Sequence, residues 1–77
     1  MDKLMQTRKA AYEAAVMADN MWSNELNRNY AGDAGNARYD NKRNAATPML
    51  RTLRQIKHNA DNALHLLNKM SRNEIAA

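Results

Sequence analysis

The side chains able to do chemistry are few, and the most suggestive group sits on one stretch. His58, Asp61 and His65 stand at i, i+3 and i+7, a spacing that brings three donors to one side of a helix, where a single metal ion would be in reach of all of them. Two imidazoles and one carboxylate on a solvent-facing helix lack a fourth ligand and the hydrogen-bonded support that holds ligands in place. The expectation is a solvated polar stripe, with no metal and no cofactor. Ser23 and Ser71, the two serines of the chain, are not spaced with a His and an acid as an activated nucleophile would be. Gly32 and Gly35 lack the lysine and the spacing of a phosphate loop, and the carboxylates come singly rather than in pairs that would shift a proton affinity. No catalytic residue is assigned, and the chain is read as not an enzyme.

The cationic residues are better organised. Between positions 38 and 58 stand Arg38, Lys42, Arg43, Arg51, Arg54 and Lys57 against Asp40 alone, whereas the rest of the chain is close to neutral. Guanidinium forks suit phosphate or carboxylate, and a helix beginning at Pro48 adds the positive end of its dipole. Tyr39 within the set offers a ring for stacking. This segment is the candidate contact for nucleic acid or for an acidic protein surface. A second candidate is apolar: Tyr12, Val16, Met21 and Trp22 widen the apolar arc of the first helix beyond what one neighbouring helix covers.

The elements that must carry these residues follow from periodicity. From Asp2 to about Tyr30 there is no Gly or Pro, and placing residues at about 100° steps gathers Leu4, Ala11, Ala15, Ala18, Trp22, Leu26 and Asn29 within about 40° of one line, with the helix ending near Ala31. The two glycines then end the helix within a run of turn formers. Thr47-Pro48 reads as an N-cap followed by a first helical position. Beyond it Ala46, Met49, Leu53, Ile56, Ala60, Ala63, Leu67 and Met70 alternate by 3 and 4, which is the period of a packed helix seam. The fold class is therefore all-α, a single small domain over 1–77. It is an antiparallel hairpin of two long helices at about 2–31 and 48–72, a basic Gly-containing loop at 32–47 with room for a short helical turn, and a frayed tail at 73–77. Positions summing to about 78 face each other, Ala18 against Ala60 at closest approach and Trp22 against Ile56.

Seventy-seven residues without Cys bury a modest core and have no disulfide to support it. Self-association into a four-helix bundle, or a third short helix from residues 36–45 folded over the seam, or both, is expected to make up the difference. No stretch approaches the ~20 apolar residues of a membrane span, and the acidic residues near the N-terminus argue against a targeting peptide. The expected location is the cytoplasm, of a bacterial host if the gene is phage-borne. The expected function is a non-enzymatic protein-interaction module of the kind small phage or mobile-element chains supply when they bind and inhibit a host complex, such as a nucleic-acid-targeting defence complex. A nucleic-acid-binding regulator using residues 38–57 and a structural subunit of a larger assembly are the alternatives.

Overall fold

The computed structural model describes residues 2–76, with side chains as far as Arg72. Three helices follow one another: α1 (Lys3–Asn29), α2 (Ala34–Arg38) and α3 (Pro48–Ala76). α1 and α3 pack against each other along their length, α2 packs on α1, and the whole measures 47 × 20 × 20 Å. Among the described residues there is no strand, and no helix is long and apolar enough to cross a membrane.

Local chemistry sets the boundaries. Asp2 caps α1 by accepting from the Leu4 amide at 3.1 Å, which satisfies one of the unpaired first-turn donors. At the far end the Tyr30 amide donates to the Leu26 carbonyl, and Gly32 follows at φ +87°, a conformation glycine adopts at little cost. The chain turns there and makes the five-residue α2, the short helical turn for which the loop had room. Thr47 Oγ1 accepts from the Leu50 amide at 3.1 Å, so α3 starts at Pro48 as its cap residues dictate. α3 continues to Ala76 rather than stopping near Arg72; the expected fraying of 73–77 otherwise falls on side chains outside those described.

The inner face of α1 is where its periodicity places it as far as Leu26: Ala15, Ala18, Trp22 and Leu26 are buried, Leu4 and Ala11 half-buried, whereas Asn29, on the same expected line, is exposed and turns its side-chain amide back to Glu25. The inner face of α3 is not. Leu50 and Leu53 are buried and Lys57, Ala60, Leu64 and Leu67 half-buried, while Met49, Ile56, Ala63 and Met70 lie exposed. The seam therefore runs 50, 53, 57, 60, 64, 67. It keeps the 3–4 alternation and shares Leu53, Ala60 and Leu67 with the expected line, but its centre is rotated toward Leu50 and Leu64. Ile56, expected opposite Trp22, is 43% exposed and is not part of the buried cluster around that ring. The reason is the end of the bundle: Trp22, Leu26, Leu50, Leu53 and Ala37 of α2 form one cluster, with Tyr30 and Ala34 packed against it. Ala37 closes over the core, so α3 must present Leu50 inward to complete it. Burying each such leucine contributes about 1.5–3 kcal/mol.

Candidate interaction surface

Much of the cationic set is used by the fold itself. Arg38, on the last turn of α2, reaches back to α1, where it donates to Asp19 and, at 2.8 Å, to Ser23 Oγ. Its guanidinium lies over the Trp22 ring, 4.7 Å from the centroid, a cation–π contact. Arg43 bridges Asp33 at 2.6 Å and Asp40 at 2.9 Å, and stands 5.7 Å from the Tyr30 ring centre. The Arg43 hydrogen bonds hold the carboxyls of Asp33 and Asp40 below their ordinary range, and those two carboxylates raise Arg43 in turn. Lys57 pairs with Asp61 at 2.5 Å, one turn along α3, which also occupies the carboxylate of the His58, Asp61, His65 trio. Arg51 donates to the Ala45 carbonyl at 3.2 Å.

Among the described residues Lys42, Arg51 and Arg54 make no ion pair. Arg51 and Arg54 line one shallow depression with Ala45, Gln55 and His58. Tyr39 is 84% exposed and apart from them in the chain. The six cations of 38–57 thus divide evenly: Arg38 and Arg43 form a clamp that fastens the α2 segment, Lys57 pairs with Asp61 within α3, and Lys42, Arg51 and Arg54 remain without an ion pair among the described residues.

Asn44 belongs to that clamp. It is buried; its side-chain amide donates to the Arg38 carbonyl at 2.8 Å, and its own carbonyl accepts from Trp22 Nε1 at 3.2 Å. Tyr30 donates to the Arg43 carbonyl at 2.9 Å. A buried Asn inside a loop rich in Asn carries no periodic signal, so spacing alone does not single it out. The indole donor of Trp22 was the available hint, since a buried tryptophan needs an acceptor.

The apolar candidates separate into two groups. Trp22 is 4% exposed, in the core, and is not available to a partner. Tyr12, Val16 and Met21 are exposed, and the structure adds Met17, the most exposed of the helical group at 64%. These four line a shallow groove along the outer face of α1 with Glu13, Asn20 and Asn24. At the open end Met5, Arg8, Lys9 and Tyr12 face Leu64 and Asn68 across the junction with α3, where Arg8 donates to Asn68 at 3.1 Å and to Ser71 at 3.3 Å. Comparison with protein-family models, curated proteins and solved structures gave no match.

Proposed function

We propose that the protein is a non-enzymatic protein-interaction module that docks a partner protein through the outer face of α1. One observation carries this reading. Among the described residues, ten large apolar side chains stand exposed, against seven residues in the core of which three are alanine. Isolated exposed apolar residues are ordinary, but a contiguous set along a helix is characteristic of a contact surface. Tyr12, Val16 and Met17 present anchors at helical spacing, flanked by Glu13, Asn20 and Asn24 as hydrogen-bonding groups, the pattern of a helix seated in an apolar groove of its partner. Binding and inhibition of a host complex is one use of such a surface, and service as a subunit of a larger assembly is another. Nucleic-acid binding through residues 38–57 is less supported, because Arg38, Arg43 and Lys57 already have carboxylate partners.

A photo-reactive side chain placed at Val16 tests the reading in the cell that encodes the protein. The expected result is a discrete adduct with a protein other than this chain, lost when Met17→Glu is added and absent when the probe is moved to His65. Adducts of equal yield from both positions, or none from Val16, overturn it. Salt-dependent binding of arbitrary DNA at about 50 mM salt, with a log–log slope of several contacts, would favour the nucleic-acid alternative instead.

A further inference from the structure

Arg38 reaching Asp19 and Ser23, and Tyr30 reaching the Arg43 carbonyl, lay α2 and the following loop on one side of the hairpin. Among the described residues no element covers the opposite side. At about 100° per residue, that side carries Ala10, Ala14 and Met21 of α1, while α3 contributes Met49, Ile56, Ala63 and Met70. The α3 residues recur every seven positions and are all exposed, a second seam with nothing packed on it.

We infer that this bare side is the contact surface for a second copy of the chain, forming a four-helix bundle. The inference rests on the reading of exposed apolar surface as contact surface, and it names the occupant of one part of that surface. Three features point to a copy rather than a different partner. First, charge is absent along the middle of the side: between Ala10 and Met21, and from Met49 to Met70, its residues are Ala, Met, Ile, Leu, Thr and Asn. Among the residues whose side chains are described, its charged groups, Lys3 and the Glu25–Arg28 pair, stand at the ends of α1. An uncharged stripe is complementary to itself, which a two-fold contact requires, whereas a dissimilar partner is normally selected by complementary charge. Second, the net charge of +4 would oppose pairing, but the Arg38 and Arg43 clamp, with Arg51 and Arg54, lies away from this side, so two copies keep their cations apart. Third, the whole side is 47 × 20 Å in outline, an upper limit of roughly 900 Å² that leaves room for the ~800 Å² per partner of a standard stable interface. Small Ala10, Ala14 and Ala63 among large Met and Ile supply holes and knobs for interdigitation.

Light scattering and sedimentation of the full chain decide the matter. The expected mass is twice 8.8 kDa at micromolar concentration, falling to the single-chain value in Ile56→Glu and in Met21→Glu with helical circular dichroism retained, and unchanged in Val16→Glu. A wild-type chain that is monomeric at about 100 μM, or a dimer that survives Ile56→Glu and Met21→Glu together, overturns the proposal. If either charged variant loses its helix signal, the Met21→Ala, Ile56→Ala pair serves in its place: a dimer dissociation constant raised tenfold or more is expected, and no change overturns the contact. Failure of the dimer with the Val16 adduct intact removes the second copy and leaves the interaction module; a dimer whose Val16 probe captures nothing does the reverse.

Discussion

The two ends of the hairpin are built from the same pair of helices and hold together differently. At the loop end Trp22, Leu26, Leu50 and Leu53 leave solvent almost completely, with Ala37 of α2 over them. At the open end Leu4, Ala11, Leu64 and Leu67 are only half-buried, and the cross-helix polar contact is Arg8 with Asn68 and Ser71. Two helices share a single interface, and a side chain there still meets water on its flanks. A third element, even one of five residues, converts that line into an enclosed core. It also demands polar fastening, because α2 is too short to hold itself, and Arg38, Arg43 and Asn44 provide it.

Substitutions at matched depths would break this contrast or sharpen it. The largest expected effect is Leu26→Ala or Leu50→Ala at the loop end, a loss of about 2–5 kcal/mol, against less than half of that for Leu64→Ala at the open end; urea unfolding of the three variants measures both. Next comes Ala18→Leu, at a buried position of α1 where the closest approach to α3 is expected. Overpacking there should cost about 1–3 kcal/mol, and an unchanged thermal midpoint would contradict the close approach. Arg38→Ala removes the ring contact with Trp22 and the bonds to Asp19 and Ser23 together, for roughly 1–2 kcal/mol after solvent screening of this partly exposed pair. Its signature is faster amide exchange in α2 and around Asn44, with the open end unaffected. Arg8→Ala, the corresponding change at the open end, should cost under about 1 kcal/mol.

The smallest effect is a pH dependence confined to the loop end. The carboxyls of Asp33 and Asp40 are held low chiefly by hydrogen bonds from Arg43. A depressed folded-state value means that the stabilisation is present above the ordinary carboxylate value of 3.8 and is lost as pH falls through the lower folded one. Acid titration should therefore loosen the 33–43 segment first, and Asp33→Asn with Asp40→Asn should flatten that acid limb. An acid limb of the same depth in the double variant would show that these two carboxylates do not set it.

The helices themselves were legible in the residues. Gly32 and the Thr47-Pro48 pair mark boundaries through hydrogen-bonding and dihedral preferences that act over a few residues, and α1 buries the line its spacing marks as far as Leu26. The candidate site was legible only in composition. Arg38, Arg43 and Lys57 count toward a basic segment when read in order, yet Arg38 finds its carboxylate 19 residues back along the chain, at Asp19. Spacing within one element holds no record of an ion pair between two, and the burial of Asn44 follows from the same three-dimensional meeting.

By itself, then, the sequence determined an all-α hairpin, its period and most of its ends, because caps, turns and the 3–4 alternation are local and each residue's preference points the same way. The tertiary structure alone decided which line of α3 faces inward. The apolar arc of α3 is broad enough to hold two seams one residue apart, one through Met49, Ile56 and Met70 and one through Leu50 and Leu64, and periodicity is satisfied by either. Packing separates them: Leu50 joins Trp22, Leu26, Leu53 and Ala37 of α2 in one buried cluster, and the rotation that delivers Leu50 inward leaves Ile56 and its neighbours facing out.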